Sequence, residues 1–586
     1  MNEELLEPLK YYRDQGKALH EQNAKDFFDN LIQESGIDVE ANRSTVRTYD
    51  KTNEEIQKIR KKISGLRALK GFLIFLTVAG FIAALIGIAM CFDRSLIALG
   101  IASVILGLLC GVGFIVLTAT LVTPRIKNAK AISQTLDDKA KELLTQAWAQ
   151  MAPLNALFND TDALRLTEKA LPGLQFDMRF EKEKEAFFVR HNDFVDLVNS
   201  SCSVTDTLSG NFCGNPFVFC RRLVHKMGVK TYFGSRTIFW TETYRDSQGN
   251  IRRRTRSQTL TASVTKPKPE YHSNSYLCYG SQAAPDLTFT RKPTHAEDLS
   301  ERELSRKIQK GEKKLSKQAQ KATQSGGNFQ EMANSEFDVL FGASDRSHEV
   351  QFRLMFTPLA QRNMVDIIKD DDNGYGDDFH FNKYKRCNII TSEHAQSWNM
   401  NTSAANYLSY SVDMARSKFI SFNARFFRSV FFDFAPLFSV PAYMESPSPT
   451  LEPYDNGGAN YTSYEHEVMA NAIGYKSFVH PASDTEAILK TQPCARKENA
   501  DVVAVTAYSY QAVQRVDHVL RMGGDGNLHH VPVPWIEYIP VQKTTNMTVQ
   551  RTDMTERDIN EARNSGDSKL LSGKYFHGMV AYCMDQ

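Results

Sequence analysis

Several stretches of this 586-residue chain carry side chains of the kinds that perform chemistry. Tyr375-Gly376-Asp377-Asp378 pairs two carboxylates, the arrangement that holds the two metal ions of nucleotidyl transfer when it sits at a hairpin tip. That chemistry also needs a further metal-binding aspartate and a basic nucleic-acid channel. Neither is evident, so an acidic surface turn is the expected reading. Just upstream, Asp370-Asp371-Asp372-Asn373-Gly374 has the composition of a calcium loop, but its register fails. Placing Gly374 at the sixth position puts Lys369 first, and placing Gly376 there puts Tyr375 fifth. A looser cation site from Asp371, Asp377 and Asp378 is the metal candidate that survives.

His466-Glu467-Val468-Met469-Ala470 begins like a zinc-protease helix, in which histidines one turn apart share a metal and the glutamate activates water. Alanine stands where the second histidine belongs, so a surface His-Glu pair on a helix is expected. Ser392-Glu393-His394 and His529-His530 stand isolated and read as structural or surface groups. Gly524-Asp525-Gly526 lacks the third glycine of a dinucleotide fold, since His529 stands there, and no phosphate loop of the Gly-x-x-x-x-Gly-Lys-Ser/Thr type occurs. Arg252, Arg253, Arg254 and Arg256 could bind phosphate or lipid heads, but a strand edge protected by charge is the plainer reading. No cofactor is expected.

The element that positions everything else is apolar. Gly71 to Phe92 holds no charged side chain over 22 residues and Leu96 to Val122 none over 27, with only Asp93-Arg94-Ser95 between them. Each exceeds the roughly 20 residues a helix needs to cross a bilayer, and neither shows the polar face of a soluble helix. The sequence therefore predicts a transmembrane hairpin with both outer ends on one side. Lys58, Arg60, Lys61, Lys62, Arg67 and Lys70 precede it and Arg125, Lys127 and Lys130 follow it, so both termini are expected in the cytoplasm at the cell membrane. The start of the chain is acidic and polar, unlike a secretory signal. Cys202, Cys213, Cys220, Cys278, Cys387, Cys494 and Cys583 lack paired spacing, and with Cys91 and Cys110 they read as free thiols.

Small residues recur inside the hairpin at helical spacing: Gly80 with Ala84, Ala83 with Gly87, then Ser103, Gly107 and Gly111. Such stripes let helices approach closely in lipid. Packing of the two spans of one chain is favoured over a homo-oligomer seam, which stays open. Neither span carries an ionisable residue of the sort that ion paths need, which argues against a solo transporter.

The expected fold class is α+β: a two-helix transmembrane hairpin with helical cytosolic extensions, followed by mixed α+β soluble domains containing antiparallel sheets. The divisions read as 1–68 N-terminal helices, 69–123 the hairpin with spans 71–92 and 96–122, 124–170 juxtamembrane helices, 171–293 a β-rich domain, 294–335 a charged helical linker and 336–586 an α+β domain. Whether the two β-containing regions form one domain or two is open. Thr237 to Tyr244 and Thr259 to Thr265 predict a β-hairpin closed at Gly249-Asn250, with Lys266-Pro267-Lys268-Pro269 ending its second strand. Asp501 to Leu520 and His530 to Val541 predict another, turning at Gly523 to Asn527. Helices are expected at Pro358 to Ile368 and Ser463 to Ile473, and a solvated linker helix ending at Ser325-Gly326-Gly327.

Two blocks carry a resemblance. Phe337-Asp338-Val339 to Arg353-Leu354-Met355-Phe356-Thr357-Pro358, with Asp345 and Glu349 between, resembles a pattern in uncharacterised bacterial two-span membrane proteins that carry a cytosolic domain of unknown function. Trp240-Thr241-Glu242-Thr243-Tyr244 through Lys266-Pro267-Lys268-Pro269 is similar to a related group. The resemblance implies the hairpin-then-soluble-domain architecture and no activity, ligand or site residue.

A net charge of +2 is too balanced to point to nucleic acid, whereas 42% apolar residues with 36 phenylalanines are ample for real cores. The expected function is a membrane-anchored cytosolic interaction or scaffold protein. Its partners are the lipid bilayer with its anionic head groups and proteins the sequence does not identify. The alternatives are a membrane-bound cation-dependent hydrolase using Asp371, Asp377 and Asp378 with His380 or His394, or a subunit of an oligomeric channel.

Overall fold

The computed structural model describes residues 3–92, 96–177, 179–192, 199–245, 247–396, 402–446, 449–451, 459–551, 574–576 and 579–583. The turn at Asp93-Arg94-Ser95 lies outside these. The fold is α+β with an N-terminal helical hairpin, as the apolar runs and alternating segments predict. Two compact units emerge: Ala24–Asn159 with Ala404–Phe422, and Met1–Asn23 with Asp160–Ser403 and Asn423–Gln586.

The first unit is built on a helix of 52 residues, Val39–Met90, whose start is capped by the Asp38 side chain accepting from the Ala41 backbone N–H. The break before it falls at Gly36, which has φ +61°, and the helix runs without interruption through Asn42-Arg43-Ser44. Asn42 is buried in the first turn of this helix, its amide donating to the Tyr410 carbonyl and its oxygen accepting from Val412 N–H. Ile97–Leu117, a π-turn at Thr118–Val122 and Thr123–Asn155 run back along it. Val39–Met90 and Ile97–Asn155 are both long and apolar enough to cross a membrane.

The apolar segments touch through their small residues, as the stripes predict. A Cβ on Gly100 would stand 2.8 Å from the Gly87 carbonyl oxygen, and Ser103 Oγ donates to the Ala83 carbonyl at 3.0 Å. Their large side chains point outward: Phe75, Leu85, Leu106 and Leu109 are each about two-thirds exposed. Beyond this stretch the two helices continue as an antiparallel stalk joined by Arg60 to Asp137 (2.9 Å) and Gln150 to Thr45 (3.1 Å).

The second unit carries two antiparallel sheets. One contains β1 (Leu174–Phe176), β2 (Cys202–Phe212), β3 (Asn215–Arg245), β4 (Ile251–Gly280), β5 (Thr288–Arg291), β6 (Phe379–Tyr384) and β7 (Cys387–Ser392), in the order β1-β2-β3-β4-β7-β6-β5. The other contains β8 (Ile488–Lys497), β9 (Ala500–Met522), β10 (Leu528–Arg551), β11 (Lys574–Phe576) and β12 (Met579–Cys583), in the order β11-β12-β10-β9-β8. Since β1 to β5 and β6 to β7 come from either side of segment 294–335 yet share one sheet, that segment does not separate two independent β regions. It forms the helix Glu301–Ser325, closed by Gly326 at φ +72° where the sequence places its end. Helix Ser463–Ile473, opened by a Thr462–Glu465 capping box, joins the sheets: Tyr464 and Val468 pack on the core of the first, Met469 and Ala470 on that of the second.

Both predicted hairpins are present and far longer than the alternating segments suggest. β3 has 31 residues and β4 has 30, an arm about 100 Å long at about 3.3 Å per residue. Lys266-Pro267-Lys268-Pro269 does not end β4, because Pro267 and Pro269 pair with Val229 and Met227 inside the strand. The two prolines share one phase, and β7 pairs only with Leu277 to Gly280, so their missing N–H groups face a free edge. Pro532, Pro534 and Pro540 repeat the device in β10.

The two arms lie against each other. Tyr232, Ile238, Leu260 and Ala262 of the first bury with Val531 and Val533 of the second. Lys266 bonds Asp517 at 2.7 Å and sits 4.2 Å from the Trp535 ring centroid, while Trp535 Nε1 donates to the same Asp517. By strand alternation the opposite face of β3 stays exposed, with Val229, Phe233 and Phe239 each more than 70% accessible beside rows of threonine and serine.

Candidate functional site

Pairing of β6 with β7 sets Phe379 opposite Ser392, so Asp378, just before β6, meets the turn after β7: its carbonyl accepts from the Glu393 N–H, and its side chain reaches His394 one residue further on. Asp378 Oδ2 accepts from the His394 backbone N–H at 3.1 Å and lies 2.5 Å from Nδ1. Helix Val412–Phe438 supplies the other side: Nε2 faces the Ser429 carbonyl at 3.3 Å and Asp433 Oδ1 at 3.5 Å. Burial pulls the imidazole down, but Asp433 and the hydrogen bond to Asp378 outweigh it, and His394 is held above its ordinary value. Asp433, fully enclosed, is pushed up to about 6 by burial, against the opposing pull of His394 and of Ser392, whose Oγ donates to it at 2.6 Å.

His394 is therefore neither isolated nor a surface group. Tyr375 lies flat on its ring, with centroids 3.8 Å apart and planes 4° from parallel, and the Arg428 guanidinium lies over the Tyr375 ring, 4.4 Å from its centroid. Both imidazole nitrogens face acceptors supplied by the fold, and Ser392 donates to Asp433. The cluster can hold a proton, but it presents no serine–histidine pair of the kind that activates a nucleophile.

The cation candidates do not converge. Asp377 is buried in an ion pair with Arg291 and also accepts from Thr294 Oγ1 at 2.7 Å. Asp378 is committed to His394, Asp371 is exposed, and His380 is half-buried in β6 opposite Thr391. Asp370 closes its own loop by accepting from the Asn373 and Gly374 N–H groups. Among the described residues His295, Glu297 and Asp298 bring one ligand atom each within 4.8 Å of one another, a grouping that adjacency in sequence produces without any ion.

His466 and Glu467 are not a surface pair, because both are fully buried. His466 Nε2 lies 3.0 Å from Asp501, while Glu467 accepts from the Val204 N–H at 2.8 Å and pairs with Lys490 at 2.5 Å. They fasten the Ser463–Ile473 helix to strands of both sheets. The basic residues flanking the apolar runs, Lys58, Arg60, Lys61, Lys62, Arg67, Arg125, Lys127 and Lys130, are exposed, and Lys70 is half-buried. Arg252, Arg253, Arg254 and Arg256 are exposed on β4. All nine cysteines lie among the described residues, and none is in a disulfide.

In front of Tyr375 and His394 lies a cavity of about 510 Å³, also lined by Lys17, His20, Arg425 and Arg428. Sequence reading passes over His20, Arg428 and Asp433 entirely. The available signal was a lone acid in the run Phe431-Phe432-Asp433-Phe434, since a carboxylate among phenylalanines needs a buried partner. Comparison of the chain with family models, curated proteins and solved structures gives no match. The resemblance in Phe337 to Pro358 and in the long hairpin thus rests on those residues alone.

Proposed function

We propose that this chain is a two-span membrane protein of the cell membrane, with both termini in the cytoplasm, whose large α+β part binds other proteins. The observation that carries the membrane reading is the outward display of Phe75, Leu85, Leu106 and Leu109 around a seam closed by glycine. A soluble protein gains nothing by exposing that band, whereas a bilayer covers it. The exposed basic residues on both flanks favour the cytoplasmic, anionic leaflet at both ends. The packing of Gly80, Gly87, Gly100 and Gly107 between the two spans of one chain supports an intramolecular role for the small-residue stripes over a homo-oligomer seam.

The interaction reading is supported by the paired arms, long rigid ribbons whose outer face presents Val229, Phe233 and Phe239 to solvent. Crosslinking from these positions in intact cells tests it. Specific adducts that disappear in a Phe233→Ser/Phe239→Ser variant are expected, and unchanged or absent adducts would refute the reading. The hydrolase alternative draws no support from its carboxylates: Asp377 and Asp378 are turned to separate partners, Arg291 and His394, and Asp371 is exposed.

A further inference from the structure

The cavity beside Tyr375 is built unlike a chance surface hollow. His20 lines it at 1% exposure, stacked on Phe427 with ring centroids 4.5 Å apart, and neither of its ring nitrogens has a hydrogen-bond partner. Burial pushes His20 down to about 4, so at neutral pH it is an uncharged ring with one donor and one acceptor. Arg428 is fixed by its stack on Tyr375 and by donation to the Gly374 carbonyl, yet its buried Nε also lacks a partner. Buried polar atoms are nearly always paired, and two such groups around one cavity mark where an absent molecule would supply the bonds.

The lining defines the chemistry of that molecule. Lys17, Arg425 and Arg428 give three cations, with Lys17 and Arg425 exposed at the rim. A phosphate offers the several oxygens such donors need, and arginine reads it in two-bond geometry. Glu21 and Asp372 stand in the same wall and would repel a bare anion, so the ligand must also carry hydroxyl or amino donors. Tyr12 and Phe427 add aromatic surface for its body. About 510 Å³ falls within the roughly 300–1,000 Å³ range of small-molecule sites.

We propose that this cavity binds a small, soluble phosphomonoester with a hydroxyl-bearing body, its phosphate held by Arg428, Arg425 and Lys17 and its hydroxyls by Glu21, Asp372 and His20. This is a ligand site separate from the exposed face of the arms. The test is calorimetric titration of the detergent-solubilised full chain with adenosine 5′-monophosphate and glucose 6-phosphate, beside adenosine, glucose and inorganic phosphate. Saturable binding of at least one phosphomonoester is expected, at least tenfold tighter than its unphosphorylated counterpart and than inorganic phosphate. A Lys17→Ala/Arg425→Ala variant, changed only at the exposed rim, should weaken it at least tenfold, and Arg428→Gln should abolish it. Absence of binding by both esters, equal binding of the unphosphorylated compounds or of inorganic phosphate, or full affinity in the rim variant would each overturn the proposal.

Discussion

Gly107 and Gly80 meet back to back across the helical hairpin, so closely that a Cβ on Gly107 would stand 2.6 Å from the Gly80 carbonyl oxygen. Gly113, on the same helix, has nothing within 4 Å of its added Cβ. Gly107→Val should therefore force the helices apart and cost about 1–3 kcal/mol through overpacking, while Gly113→Ala should be silent. Thermal unfolding in detergent checks both, and a Gly107→Val protein as stable as the parent would contradict the seam.

The arms meet at a comparable point. The Pro532 carbonyl lies directly over Gly234, leaving no room for a side chain there. Gly234→Val is expected to separate β3–β4 from β9–β10 and expose Tyr232 and Val533. Hydrogen exchange should then accelerate along both arms and stay unchanged at β6 and β7.

How far these features can be read from sequence differs with their cause. Turn chemistry located both hairpins, since Gly249 and Gly526 adopt φ +84° and +80°, which few other residues tolerate. Strand length was not legible, because a proline reads as a stop until the free edge beside it is known. The two apolar helices stood out by composition alone. The His394 cluster did not, because Asp378 and Asp433 reach it from a strand end and from a helix whose aromatic run carries no motif. His466 was misread as exposed since its partner Asp501 is remote in sequence and buried with it.

Glu185 gives a pH signature. It is buried at 1% exposure, one oxygen accepting from the Ser463 N–H and the other without a partner, and burial raises it to about 7. The fold keeps a proton that the unfolded chain releases from about pH 4.5, so the stability linked to this group is complete below that pH and is lost as pH rises through about 7. Glu185→Gln should remove that slope, on the order of 3 kcal/mol across the window. Denaturant unfolding at pH 5 and pH 8 measures it, and a parallel slope in the variant would count against the assignment.

The Asp433 carboxylate helps hold His394 above its ordinary value. Asp433→Asn removes a charge 3.5 Å from Nε2 while keeping the side-chain size. The His394 titration, followed by NMR, should move to lower pH, with the Tyr375 stack retained. A titration that does not move would show that Asp378 alone sets it.

The proposed anchoring of the apolar hairpin in a membrane puts both ends of the chain in the cytoplasm. A topology reporter fused after Gln586 tests this most directly, using a fluorescent protein that matures only in the cytoplasm beside a phosphatase active only outside it. Membrane-bound fluorescence without phosphatase activity is expected, and phosphatase activity, or fluorescence in the soluble fraction, would rule this topology out.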